Sequence, residues 1–352
     1  MLKKQNIRTL SQDELKEVMI SWGEKAFRAK QVHEWLWKKG IGTFSEMRNV
    51  NTELIQKLSD SFDIYKLNVE DVQQSSDGTI KSAFRLHDGN VVEGVLIPST
   101  KRMTACISSQ VGCSLSCAFC ATGKLGRIRN LTADEIYDQV VVVSQQCESI
   151  RKKHLTNIVY MGMGEPLLNY KETLRSIKMI TSDEGLGMSP RRITVSTAGI
   201  AKMIRKLGDD KVKFNLALSL HAANDEKRSK IMEINKDNSL SELSDALKYF
   251  YDMTGSRITF EYILFKNFND GLEDARELAE FSKVVPVKIN LIEYNSVDGV
   301  NYEKADDDKI DAFSRFLQDR NMIVNIRRSR GKDIDAACGQ LANKNSAYKK
   351  GL

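Results

Sequence analysis

Residues Cys106 to Cys120 read CISSQVGCSLSCAFC and hold four of the chain's six cysteines. Cys113, Cys117 and Cys120 are spaced four and then three apart. Thiolates set this closely can occupy separate corners of one iron–sulfur cluster, and such clusters normally take four cysteines. The local spacing supplies three, so one iron is left for a ligand that is not protein. Two other readings compete. A disulfide framework needs an oxidising compartment and usually a small, cysteine-dense domain, whereas six cysteines in 352 residues are sparse. A structural zinc ion needs a fourth ligand, and none of the four histidines, His33, His87, His154 and His221, stands at zinc-finger spacing.

Outward from this run, the composition is that of a water-soluble globular protein, with 41% hydrophobic and 28% charged residues. The length exceeds the usual single domain, so one large domain with a smaller companion is expected. The opening segment MLKKQNIRTLSQDELKE lacks the apolar region of a signal peptide, and no run approaches the roughly 18 apolar residues that span a bilayer. A cytoplasmic location without membrane contact is the expectation. The net charge of +6 is modest. Its basic residues cluster at Lys25–Lys30, Lys124–Arg129, Arg191–Arg192, Arg327–Arg330 and Lys344–Lys350, each of which alone reads as solvated surface and several of which lie beside the motifs below.

Residues 10 to 60 carry helical apolar spacing, with Gly23 and Gly40 as stops. The aromatic stripe of Trp22, Phe27, Trp35 and Trp37 reads mostly as core. TIKSAFRL and NVVEGVLIP flank an Asp88-Gly89 turn and predict a β-hairpin. On its second strand Glu93 shares a face with Val91, Val95 and Ile97, and an acid among aliphatics there reads as an edge position facing water. From residue 99 strands and helices alternate: RMTACIS, LTNIVYMG, RRITVST, KFNLALSLH, RITFEYILF, VKINLIEYN and MIVNIRRS are the strands. Thr132–Glu135 and Ser239–Glu242 are capping boxes that open two of the helices. The pattern predicts an α/β fold, a parallel barrel, complete or partial, with a small N-terminal helical domain and a β-hairpin extension. The expected boundaries are 1–98 for the helical accessory domain plus hairpin, 99–335 for the barrel, and 336–352 for a C-terminal cysteine loop and tail.

In such barrels the loops after the strand C-termini carry the chemistry. The cysteine loop follows the first strand, GMGEP (Gly162–Pro166) the second and STAG (Ser196–Gly199) the third, while SLH (Ser219–His221) ends the fourth and EYN (Glu293–Asn295) the sixth. Glycine backbone in GMGEP can approach a ligand closely, and Glu165 can accept from a cationic amine. Ser196, Ser219 and Asn295 suit a carboxylate or ribose hydroxyls, although each alone reads as a strand-end cap. His221 reads as pocket lining. Cys338 lies in a glycine-containing loop after the last strand, and Cys147 in mid-helix reads as a small buried hydrophobe.

The cysteine spacing, with Phe119 before the last thiol, resembles the signature of radical S-adenosylmethionine enzymes. CISSQVGCSLSCAFCATGKLGRIRNLTADEIYDQV, YMGMGEPLLN, RRITVSTAGI, LALSLHA, RITFEYIL and RGKDIDAACGQL together resemble the bacterial dual-specificity adenine-2 methyltransferases of ribosomal and transfer RNA, over nearly the whole chain. The resemblance implies that the α/β barrel is a partial (β/α)6 barrel and that Cys113, Cys117 and Cys120 ligate a [4Fe-4S] cluster. Gly164, Glu165, Ser196, Ser219, Leu220, His221 and Asn295 would line the S-adenosylmethionine pocket. By the same resemblance two molecules of that cofactor would be used per turnover: one would methylate Cys338, and the second would yield a radical that takes hydrogen from the new methyl group, whose carbon would then add to carbon 2 of adenine. Glu93 matches the proton acceptor, and Cys106 the resolving thiol that attacks Cys338 and leaves a transient disulfide. The implied partners are ribosomal RNA, transfer RNA and an electron donor such as a flavodoxin or ferredoxin system, with the enzyme a monomer. Carbon 2 of adenine is electron-poor and carries no acidic proton, so a cofactor-borne radical is the chemistry it needs.

Glu233 in IMEIN and Glu293 in LIEYN stand where that family typically has proline, which leaves local loop shape open. Two alternatives remain at this point. A sister enzyme methylates carbon 8 of the same ribosomal adenine, but tends to carry Glu-Ala-Leu where this chain has Glu165-Pro166-Leu167. A non-catalytic iron–sulfur protein that binds RNA and senses redox state would account for the cysteine triplet and the basic clusters, but not for Cys106, Cys338 and the cofactor loops together.

Overall fold

Seven largely apolar sequence runs form the parallel part of one ten-stranded sheet, and most of them are buried on both faces. The computed structural model describes residues 4–342. The Lys344–Lys350 cluster and the end of the expected 336–352 tail lie outside the described residues.

Three helices come first: α1 (Gln12–Ser21), α2 (Phe27–Trp37) and α3 (Thr52–Ser61). Ser11 and Glu14 cap α1 reciprocally, and Asn51 caps α3 through the Leu54 N–H. Leu15, Met19, Val32, Leu36, Trp37, Leu54 and Leu58 are buried between them, whereas Phe27 is exposed and Trp22 and Trp35 are half-buried. The aromatic stripe is thus core only in part.

Strands β1 (Asn68–Gln74), β2 (Ile80–Arg85) and β3 (Val91–Pro98) run antiparallel, and β3 pairs antiparallel with β4 (Met103–Cys106). From β4 onward each strand pairs in parallel with the next: β5 (Asn157–Tyr160), β6 (Ile193–Thr197), β7 (Asn215–Ser219), β8 (Ile258–Leu264), β9 (Val287–Glu293) and β10 (Ile323–Arg327). Parallel neighbours need crossovers. The first crossover holds the one-turn α4 (Ala121–Lys124) and the long α5 (Ala133–Arg151). The others are α6 (Tyr170–Thr181), α7 (Ala201–Asp209), the pair α8 (Asp225–Ile231) and α9 (Leu240–Thr254), α10 (Leu272–Phe281) and α11 (Asp307–Gln318). Both capping boxes read from the sequence start helices, at α5 and α9. The edges β1 and β10 are not bonded to each other, so the barrel is open.

The hairpin forms at the Asp88-Gly89 turn with Ala83 opposite Glu93, but it is continuous with the barrel sheet and carries a third strand. The 98/99 boundary therefore falls inside one sheet. One expectation is corrected here: Glu93 faces protein, with 1% of its surface exposed. Its strand lies between β2 and β4, because the polar run NVEDVQQ, which carries no strand signal, takes the edge.

The N-terminal helices join the barrel through a buried charge cluster. Arg8 donates both guanidinium Nη groups to Asp138 of α5 at 2.8 Å, its guanidinium stacks on Trp37, and the Tyr137 hydroxyl donates to the Trp37 carbonyl at 2.9 Å. Removing one partner of such a pair leaves a buried charge uncompensated. Asp138→Ala is therefore expected to cost about 3–5 kcal/mol in chemical denaturation; a loss below about 1 kcal/mol, the worth of a surface pair, would show that the cluster does not hold the two parts together.

Candidate active site

The cysteine loop leaves the C-terminal end of β4 and is tied down along its length. Ile107 donates to Val159 O, Ser109 to Met163 O, and the Cys113 N–H to Gly126 O. At Gly112 the backbone adopts φ +74°, and a side-chain carbon there would lie 1.7 Å from Gly126 O, so only glycine allows the turn. Beyond it, the Ala118 N–H bonds Ile231 O on α8 at 2.9 Å and the Cys120 N–H bonds Cys117 O at 3.1 Å. The Ala121 N–H and Thr122 hydroxyl reach Gly339 O and Leu341 O at 2.8 and 2.7 Å, which joins this loop to the C-terminal segment.

Cys113, Cys117 and Cys120 line one cavity at the strand C-termini, together with Cys106, Gly164, Glu165, Ser196, Ser219, His221 and Cys338. Burial pushes the Cys113 thiol up to about 11 and raises Cys117 as well. Among the described residues no three His, Cys, Asp or Glu side chains converge on a point that would hold a single ion. A [4Fe-4S] cluster asks for another arrangement, since each thiolate binds a different iron. Three cysteines spread round one end of a shared cavity fit it.

Glu165 is buried beside them and pushed up to about 7 by that burial, while Leu167 N–H and Ala198 N–H donate to its two oxygens at 3.0 and 2.8 Å. Gln110 Oε1 accepts from the Glu165 N–H at 2.8 Å, and Gly164, at φ +96°, has no room for a side chain against Gln110. These bonds hold the carboxylate with its face to the cavity, as a site for an amine requires. Ser196 and Ser219 hydroxyls lie 3.3 Å apart on the adjacent strands β6 and β7. His221 is buried, accepts at Nδ1 from the Ile263 N–H at 3.1 Å, and packs edge-on to Phe119. Burial, with Arg228 nearby, drives it down to about 3, so a neutral ring lines the cavity.

Leu220 and Asn295 are not among the lining residues. Leu220 contributes backbone, donating to Glu261 O and accepting from Arg228, while Asn295 Nδ2 bonds the Cys338 carbonyl at 3.4 Å from behind.

Cys338 is exposed toward the cavity, yet protein surrounds it on the remaining sides and raises its thiol, with Arg327 pulling the other way. Burial and the neighbouring Cys338 push the Cys106 thiol up to about 12. Cys106 is cross-strand partner to Val95, as is Lys81, so Lys81, Val95 and Cys106 form a row on the sheet face that also carries Glu93. Glu93 itself lies behind the C-terminal segment: its Oε2 accepts from the Ala342 N–H at 2.9 Å, and Lys81 Nζ stands 3.6 Å from Oε1 and 3.5 Å from Asp335 O. Lys81 gave no signal in the sequence, where a lysine in TIKSAFRL reads as the solvated side of a strand.

The cavity rim is basic. Arg327, Arg328 and Arg330 line it, and Arg327 is paired with the buried Glu261 at 3.4 Å. Burial works to raise Glu293, but Arg328, Lys332 and the Ser329 N–H hold it at about 2. The proline departure thus has a role the sequence did not reveal, as the anchor of the loop that leads to Cys338. In the chain just after the cysteine triplet, Leu125 and Ile128 are exposed among Lys124, Arg127 and Arg129.

Residues 5–64 match the family model for the ribosomal RNA large subunit methyltransferase N-terminal domain, and residues 107–281 that of the radical SAM superfamily. A probable dual-specificity RNA methyltransferase RlmN of Cytophaga hutchinsonii is 57% identical, the match covering 97% of this chain and 94% of that one. The dual-specificity RNA methyltransferase RlmN of Nitratidesulfovibrio vulgaris is 45% identical over 96% of this chain and 94% of that one. Among solved structures, a radical SAM methyltransferase from Sphaerobacter thermophilus superposes with a TM-score of 0.89 at 37% identity, covering 96% of this chain and 99% of the other. Taken with a cavity that gathers the cysteine triplet, Glu165 and Cys338, this likeness over nearly the full length means that the chain belongs to the RlmN family of RNA methyltransferases within the radical S-adenosylmethionine superfamily.

Proposed function

We propose that the chain methylates carbon 2 of adenine in large-subunit (23S) ribosomal RNA and, beside the anticodon, in transfer RNA, with Cys338 as the carrier of the methyl group. One observation supports this reading above the rest: two thiols outside the cluster triplet, Cys106 and Cys338, open onto the same cavity as the triplet. A non-catalytic iron–sulfur redox sensor does not account for that pair together with the glycine-rich and serine-bearing loops that line the same cavity. The bound [4Fe-4S] cluster and S-adenosylmethionine supply a methyl group and, by one-electron chemistry, an organic radical.

The chain's own residues take the following parts. Cys113, Cys117 and Cys120 hold the cluster. Gly164, Glu165, Ser196, Ser219 and His221 hold the cofactor, with Leu220 and Asn295 supporting them from behind. Cys338 Sγ takes the methyl group, and its carbon is what becomes bonded to adenine. Glu93, whose Oε2 accepts from the Ala342 N–H, takes the proton that leaves carbon 2, while the unpaired electron left on the adduct would return to the oxidised cluster. Cys106 Sγ, as a thiolate, then attacks Cys338 Sγ. A sulfur–sulfur bond forms, the sulfur–carbon bond breaks, and its electron pair passes to the adenine methylene, which gains a proton and becomes the product methyl group. Arg327 lies beside both thiols and lowers the cost of the thiolate. A flavodoxin or ferredoxin system would supply electrons to this monomeric enzyme in the cytoplasm. No helix among the described residues is long and apolar enough to cross a membrane.

The adenine must leave its stack to meet Cys338 in a cavity, so looped or flipped bases are the substrates, and the arginines of the rim meet the phosphates.

Two outcomes are expected. Cys113→Ala, Cys117→Ala and Cys120→Ala each lose the brown cluster absorption and all methylation; a full iron content in any of them would remove that cysteine from the ligand set. Cys106→Ala lets the adduct between adenine and Cys338 form without release, so that protein and RNA co-purify and migrate together on a denaturing gel. RNA-free Cys106→Ala protein with normal methylation would show that Cys106 is only a packing residue.

A further inference from the structure

Among the described residues two arginines are wholly buried, Arg8 and Arg228. Arg8 meets Asp138 with both Nη groups. Arg228 has no such partner: its Nη2 donates to Ala198 O at 2.5 Å and Ser219 O at 3.4 Å, Nε to Leu220 O at 3.1 Å and Nη1 to Asn235 Oδ1 at 2.6 Å. Among the described residues no carboxylate lies within ion-pair distance of it. Asp225, which attracts it from farther off, is itself engaged by Asn235 Nδ2 and the Leu240 N–H. Burying a guanidinium costs several kcal/mol unless a counter-charge is present, and neutral oxygens alone do not provide one. Burial accordingly draws the Arg228 guanidinium down to about 10, with Cys117 pulling it back up.

The missing anion has a place in the fold. Arg228 sits on α8, whose Ile231 carbonyl holds the Ala118 N–H in the middle of the cysteine triplet. Ile231 and Met232 pack with Phe119, Cys117 and Cys120 in one apolar cluster, so little water screens the space between. Three thiolates and a cluster bring net negative charge to that space, and reduction adds one more.

We propose that Arg228 is the counter-charge of the cluster held by Cys113, Cys117 and Cys120, a positioning residue whose buried cation raises the cluster's reduction potential. The same fork holds the carbonyls of Ala198, Ser219 and Leu220, so it also sets the two loops that carry the cofactor residues. The inference rests on the family's cluster and not on the choice of adenine carbon. A net positive charge in a dry site favours the more negative, reduced cluster. That is the state from which the electron leaves.

The test is a redox titration of the reconstituted protein, with iron content measured alongside. Arg228→Gln keeps a polar side chain and removes the charge; it is expected to shift the midpoint at least 59 mV more negative, a tenfold fall in the ratio of reduced to oxidised cluster for one electron. Arg228→Lys keeps the charge, loses part of the fork and is expected to stay near the wild-type midpoint while unfolding more easily. A wild-type midpoint in cluster-loaded Arg228→Gln would overturn the proposal. If Arg228→Gln does not fold, Arg228→Lys decides: a midpoint as wild type sustains the charge account, and a fall of 59 mV or more would assign the effect to hydrogen-bond geometry instead.

Discussion

Because β4 to β10 run parallel in sequence order, the loops after their C-terminal ends emerge on one side of the sheet. Everything reactive follows from that constraint. The cysteine loop, the Gly162–Pro166 turn, the Ser196 and Ser219 strand ends and the segment after β10 come from well-separated stretches of chain, yet they line one cavity. The segment after β10 then folds back, giving Gly339 O and Leu341 O to the cysteine loop and the Ala342 N–H to Glu93. In this way the sheet's antiparallel extension, which in sequence precedes the barrel, packs against the segment that carries Cys338.

The second theme is that the polar groups in this interior answer to one another. Glu165 is held by two backbone donors, His221 by the Ile263 N–H, and Glu293 by Arg328 and Lys332. Each of these bonds fixes a side chain whose rotation would cost reach or orientation, as catalytic geometry demands. Arg228 is the exception: its charge is matched by carbonyl dipoles instead of a carboxylate, so it marks where the protein awaits an anion.

Much of this was legible before any coordinates. Period and punctuation found the parallel strands and both capping boxes, since strands buried on two faces are apolar throughout and capping boxes have a short-range chemistry. That the cysteine triplet and Glu165 meet at one cavity could be read because both stand in loops that follow strand C-terminal ends. What escaped was set by long-range packing. A polar edge strand, Asn68–Gln74, moved Glu93 from an expected edge to the interior. Lys81 and Arg228 look in sequence like solvated surface residues, and only the fold turns them inward. Glu293 was visible as a departure from proline, but its basic partners lie up to 39 positions away.

The proposed reaction has Cys338 deliver one carbon to carbon 2 of an adenine in both kinds of RNA. It is tested most directly by mass spectrometry of adenosines from ribosomal and transfer RNA of a strain lacking the gene, complemented with the wild-type chain or with Cys338→Ala. The account predicts 2-methyladenosine in both RNAs with the wild-type chain and in neither with Cys338→Ala. Appearance of 8-methyladenosine, or of 2-methyladenosine with Cys338→Ala, would contradict it.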